Sequence, residues 1–312
     1  MSVSRPVRFA ISAVLVALSF GACDIFQSVR NPLDSAADRI ATTVLVAGGT
    51  QGTADGTGGA AQFSSSMLGI CSYGTNLYVA DTGSGVVRKV DVATGVVTTL
   101  STGVYLYGVC TDGTNLYGAS PSWHCIYSIP VTGGTKTVFA GSEGTAGNQD
   151  GSPASARFNA PFAICIDAAK ANLYVTDSNN GSIRKIIIAS GVVSTLATGL
   201  QNPESICLFG TTLGVNTTNG TALVDTTSGA VSTPTVANGQ TVYGFHAYDG
   251  TDFLYRANGD SIVKTQTSTS PWGTLWAKST TNKGMYAACF CGSDLYLTDS
   301  GTYGIYKLVS IK

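Results

Sequence analysis

The residues best suited to chemistry recur at matched intervals. Cys71, Cys110, Cys165, Cys207 and Cys289 occupy one equivalent slot in successive stretches of the chain, with His246 in the sixth. Thiols and an imidazole in such a series suggest a metal centre. Zinc, however, needs four ligands within about 2.3 Å of one centre, and six slots on side-by-side units do not converge that tightly. Disulfides are disfavoured as well: bridged Cα atoms lie within about 7 Å, whereas Cys110 and Cys125 fall on the first and third strands of one unit, about 9.5 Å apart at ~4.8 Å per strand. The slot therefore reads as a small hydrophobe buried between units, and no metal site is expected. Three residues before it lie Leu68, Tyr107, Phe162, Glu204, Tyr243 and Tyr286. Brought around one opening, four aromatics and one carboxylate would make a concave site with a single charged group. Aromatic faces stack on sugars or apolar ligands, and Glu204 accepts hydrogen bonds or faces a cation. The rival reading of the same six residues is a plug.

Catalytic arrangements are absent from the sequence. It has two histidines, His124 and His246, no HExxH, no GxSxG elbow after a strand and no phosphate-binding loop. The cluster Gly52–Gly59 (GTADGTGG) is glycine-rich, but no helix is expected after it to offer an anion its N-terminus. Asp81, Asp177 and Asp299 each end a strand and open a turn, where an Asx side chain bonds its own backbone. Asp55 and Asp150 precede glycine and read as turn formers too. Trp123, beside His124 in a loop, is a contact residue or packs locally.

The elements that position these residues are written as a repeat. The position of Tyr78 recurs at Tyr117, Tyr174, Gly214, Tyr255 and Tyr296, in steps of 39, 57, 40, 41 and 41; the long step holds an insertion around Gly141–Pro161. Each copy carries four short β-prone runs separated by turn residues. In the first copy they lie near Ile70–Tyr73, Leu77–Ala80, Val86–Val92 and Val96–Leu100. Four strands per ~40-residue unit is the blade of a β-propeller. The sixth copy stops at Lys312 after three strands. The unmatched run Thr42–Ala47 (TTVLVA) is therefore expected to complete the last blade and remove an exposed edge.

The phrases NLYVADTGSGVVRKV (from Asn76) and NLYVTDSNNGSIRKI (from Asn172) resemble NHL repeats. So do the preambles Ala47–Phe63 and Ala140–Pro161. Copies four and five drift, with Asn216-Thr217 and Ala257-Asn258 where Ala-Asp is usual. The resemblance spans residues 42–312 and implies an all-β, six-bladed propeller. It also implies that the residue after the proline in openings such as Pro161-Phe162-Ala163 and Pro203-Glu204-Ser205 lies at the mouth of a central channel. Related propellers include calcium-dependent lactonases and lyases. Glu204 is the one acid of the predicted mouth, thin support for a calcium ion that takes 6–8 oxygens; Asn216–Asn219 could add ligands.

The chain opens with Arg5 and Arg8, an apolar run Phe9–Phe20 and then Gly21-Ala22-Cys23. The run is shorter than the ~20 residues a membrane-spanning helix needs and has the pattern of a secretory signal. Cysteine after a small pair resembles a bacterial lipobox, with Phe20 where leucine is usual. The expected organisation is a signal peptide over 1–22, lipidation at Cys23, a tether over 23–41 and the propeller over 42–312. An ordinary cleaved signal is the alternative.

Hydrophobic residues make up 44% and charged residues 11%, against the composition of a disordered polyelectrolyte. A net charge of −1 without a basic block disfavours nucleic-acid binding. The expectation is a monomeric, lipid-anchored envelope protein, at the outer membrane (periplasmic face) or the cell surface. It would be non-enzymatic and without a cofactor, recognising a protein or glycan through the channel mouth and loops. A metal-dependent propeller enzyme using calcium and a structural envelope component are the alternatives.

Overall fold

A computed structural model of the chain describes residues 40–234, 247–250, 253–258, 261–266, 273–279 and 284–311. Cys23, Tyr243 and His246 lie outside them. The first strand is β1 (Ile40–Gly48). One sheet follows from β2 (Gly56–Thr57), β3 (Met67–Tyr73), β4 (Asn76–Asp81), β5 (Val86–Asp91) and β6 (Val96–Thr102). The second holds β7 (Val109–Thr111), β8 (Asn115–Ser120), β9 (Cys125–Pro130) and β10 (Thr137–Gly141). The third holds β11 (Pro161–Ile166), β12 (Asn172–Asp177), β13 (Ser182–Ile187) and β14 (Val193–Ala197). The fourth holds β15 (Ser205–Phe209), β16 (Thr212–Thr217), β17 (Gly220–Asp225) and β18 (Val231–Ser232). Then come β19 (Ala247–Tyr248), β20 (Phe253–Asn258), β21 (Ser261–Gln266), β22 (Gly273–Ser279), β23 (Met285–Cys291), β24 (Asp294–Asp299) and β25 (Gly304–Ile311).

Within a unit each strand pairs antiparallel with the next, as β3 with β4 and β4 with β5. Between Tyr73 and Asn76 the loop has two residues, and Gly74 at φ 60° takes the left-handed conformation that such a turn requires. Alternate residues pack into clusters that sit between sheets: Tyr78, Val87 and Leu100 meet Leu116, Tyr127 and Ile129, for example.

The sheets form an all-β propeller, but they number five, not the six that the repeat predicts. The last sheet has eight strands in the order β19-β20-β21-β22-β1-β25-β24-β23. The reason lies in β1, which begins two residues before the TTVLVA run. Its body pairs antiparallel with β25, Thr42 opposite Ser310 through Gly48 opposite Gly304. Ile40 and Ala41 then pair in parallel with Lys278 and Ser279 of β22. That two-residue bridge joins the fifth and sixth repeat units into one sheet.

Candidate functional site

The first strand of each unit turns toward a common central cavity of about 910 Å³. These inner strands come very close together. A Cβ on Gly108 would meet Ala163 Cα at 2.7 Å and Ile164 N at 2.8 Å, and one on Gly69 would overlap the Tyr107 carbonyl. Gly108 N also donates to Phe162 O at 2.9 Å, tying the second unit to the third.

Leu68, Tyr107, Phe162, Glu204 and Tyr286 all line this cavity, and so do Cys71, Cys110, Cys165, Cys207 and Cys289. Residues three apart on a regular strand face opposite sides. In the first, third and sixth units bulges restore the phase: the register shifts between Met67 and Gly69, between Pro161 and Ile164, and between Met285 and Ala288. Tyr107 and Phe162 meet edge to face, with centroids 4.7 Å apart. Tyr286 is 56% exposed and Glu204 is also exposed, so the wall is open at their level. Cys71, Cys110, Cys165 and Cys289 touch the clusters between sheets, as the slot predicts, whereas among the described residues Cys207 belongs to none of them; all five also line the cavity, which the repeat pattern does not show. All are free thiols. Burial pushes their pKa values up, that of Cys207 to about 12, so they stand as neutral thiols.

The fourth unit breaks the pattern of the wall. Ser205 occupies a place held by Gly69, Gly108, Ala163 and Ala287 in other units. Its Cα partner across the ladder is Asn216, whose carbonyl accepts from Glu204 N at 2.9 Å. Here the ladder runs without a bulge. In the third and sixth units the residues equivalent to Asn216 are Thr176 and Thr298. Their hydroxyls accept from Ala163 N at 2.8 Å and Ala287 N at 3.1 Å, at the bulges. Asn216 Oδ1 and Ser205 Oγ are buried oxygens with no hydrogen-bond partner. The lining includes one carboxylate and, among the described residues, no Lys, Arg or His.

The acids singled out in the sequence do structural work away from the cavity. Asp81 accepts from Ser64 N at 3.0 Å and from the Ser64 hydroxyl; Asp177 accepts from Asn159 N at 2.7 Å and Asn180 Nδ2 at 2.8 Å. Asp299 accepts from Gly284 N and Gly301 N at 2.9 Å. Asp55 and Asp150 are more than turn formers. They reach from the preambles to buried arginines, Arg88 at 2.9 Å and Arg184 at 2.6 Å. Burial alone would raise the Asp55 and Asp150 pKa values; donors from Thr99 and Arg88, and from Thr195 and Arg184, outweigh it and hold both carboxyls below the usual range. For Asp81 and Asp177 burial prevails and raises them. His124, at φ 56°, accepts from Ala160 N through Nδ1 at 3.0 Å, while Trp123 stays exposed. After Gly52–Gly59 there is one short 3-10 turn, Gly58–Ala60. Among the described residues no group of three or more His, Cys, Asp or Glu side chains is placed to hold a metal ion.

No family model and no curated protein matches the sequence. Solved structures do resemble the fold. A protein of unknown function from Bacteroides thetaiotaomicron gives a TM-score of 0.63 at 16% identity, over 88% of this chain and 77% of that one. A gluconolactonase from Xanthomonas campestris gives 0.58 at 15%, over 75% and 81%. Virginiamycin B lyase from Staphylococcus aureus gives 0.58 at 12%, over 87% and 99%. At these identities the likeness concerns architecture alone, and it places the chain among the β-propellers.

Proposed function

We propose that this protein is a lipid-anchored binding protein of the bacterial envelope, acting as a monomer and recognising a protein or glycan partner through the mouth of its central cavity. One observation carries the reading. The five described members of the predicted ring line one cavity as three aromatics, one leucine and one carboxylate. Aromatic faces with a single charged group suit a partner that stacks and hydrogen-bonds. Residues 1–22 act as the signal and Cys23 carries the lipid. The same reading counts the eight-stranded sheet as two blades of a six-bladed disc, since only two residue pairs join its halves. Glycan-array binding by the purified protein, lost in Phe162→Ala and Tyr286→Ala, tests recognition. Labelling by radioactive palmitate, lost in Cys23→Ser, tests the anchor. Binding unchanged by both aromatic substitutions overturns the site, and no binding at all favours the structural envelope role.

A second reading, a metal-dependent lactonase- or lyase-like enzyme, is favoured by the gluconolactonase and the lyase among similar structures. Its calcium would sit against Glu204, Asn216 and Ser205. Three oxygens are few beside the 6–8 of a calcium site. A calcium-dependent rise in melting temperature that Glu204→Gln abolishes would carry it.

A further inference from the structure

We infer that the fourth unit holds a subsite for a primary ammonium group carried on a small aromatic body. This rests on the proposed recognition through the cavity and names the chemistry recognised there. Three neighbouring positions depart from the repeat together. Glu204 stands where the described equivalents are Leu68, Tyr107, Phe162 and Tyr286. Ser205 stands where they are Gly69, Gly108, Ala163 and Ala287. Asn216 stands where they are Ala80, Ala119, Thr176 and Thr298. All three line the cavity. Thr176 and Thr298 use their hydroxyls on inner-strand backbone, whereas Asn216 Oδ1 and Ser205 Oγ are buried with nothing to bond.

A buried oxygen without a partner destabilises the fold, so two of them in one corner are a standing demand for a donor. Asn216 Oδ1 only accepts, the Glu204 carboxylate only accepts, and the Ser205 hydroxyl accepts with either lone pair. A ligand group with several N–H donors and no acceptor matches that set, and an –NH3+ group has three donors. Charge points the same way. The lining has one carboxylate and no described cation, which repels phosphates and carboxylates and attracts a cation. The Tyr107–Phe162 pair, on the units that precede the fourth, offers the ring contact and the cation–π surface for the organic body.

The test is isothermal titration of the full chain with 2-phenylethylamine and with its N-acetyl derivative, which keeps the ring and loses the charge. The amine is expected to bind at least tenfold tighter than the amide. Glu204→Gln and Asn216→Ala should each weaken the amine at least tenfold while leaving the amide unchanged. Equal binding of amine and amide overturns the ammonium subsite and leaves recognition by the cavity standing. Glycan-array binding without amine binding has the same meaning. Absence of both overturns both. Calcium that displaces the amine and stabilises the protein through Glu204 overturns the ammonium in favour of a metal.

Discussion

Arg184 offers a sharp test of what fixes the third unit. It is fully buried on β13 and donates to four oxygens: Asp177 Oδ2 at 2.8 Å, Asp150 Oδ1 at 2.6 Å, Gln149 O at 2.9 Å and Arg157 O at 3.0 Å. Its guanidinium lies 5.1 Å from the Phe158 ring centroid. Arg184→Met keeps much of the volume and deletes the charge. Asp177 then remains buried as an anion with Asn159 N and Asn180 Nδ2 as its donors. Breaking a buried pair from one side costs roughly 3–5 kcal/mol. At about 2 °C per kcal/mol for a chain of this size, the melting temperature should fall by roughly 6–10 °C at neutral pH. The pH dependence carries a definite sign. Burial already raises the Asp177 pKa, and loss of Arg184 raises it further. A carboxyl raised on folding costs stability as pH climbs through its folded pKa, so the deficit should shrink as pH falls from about 7 toward about 4, near the ordinary aspartate value. Arg184→Met/Asp177→Asn should recover part of the loss. Scanning calorimetry reads all three proteins. A fall under about 2 °C, less than 1 kcal/mol on that scale, or a gap that does not narrow in acid, refutes the reasoning.

Other perturbations have equally definite outcomes. Gly108→Ala places a methyl against the Ala163 and Ile164 backbone and should cost about 1–3 kcal/mol in denaturant unfolding; a neutral substitution would show that the inner strands are not held that close. The seven described cysteines are free, and burial raises their pKa values. Iodoacetamide at neutral pH should therefore leave them unmodified until the protein is denatured, as read by mass spectrometry; rapid native labelling would contradict this. Asp55 and Asp150, whose pKa values are lowered, contribute stability that is present above the unfolded value and lost as pH falls through the folded one. Pepsin should consequently cut within residues 49–62 and 142–158 faster below about pH 3 than above it, and an unchanged rate would count against the arginine latches.

Much of the architecture is readable because the repeat is physical. Each unit must bury two faces, so valine, isoleucine and leucine alternate with turn residues at a period of about 40 residues, broken once by the insertion around Gly141–Pro161, and Thr42–Ala47 finds its partner by elimination. What escapes is set by events outside that period. Two residues, Ile40 and Ala41, merge two units through a parallel contact that no local pattern announces. Bulges around Leu68, Phe162 and Tyr286 are visible only through pairing, yet they turn both the ring residues and the cysteines toward the cavity. Asp55 and Asp150 look like ordinary turn acids until the buried arginines 33 and 34 residues downstream are seen beside them. The polar corner was legible as a departure: Asn216 breaks the repeat in the sequence itself. Its orphaned oxygen was not, because that depends on a missing bulge.

The cavity exists only if the chain's first strand closes the ring, and hydrogen exchange measures that directly. Seven residue pairs join β1 to β25. Amides of residues 42–48 should therefore exchange as slowly as those of 304–311, and both should lose protection in one step with denaturant. Rapid exchange over 42–48 beside a protected 304–311 would mean that the last unit is finished some other way, and the wall that gathers Leu68, Tyr107, Phe162, Glu204 and Tyr286 would lose its foundation.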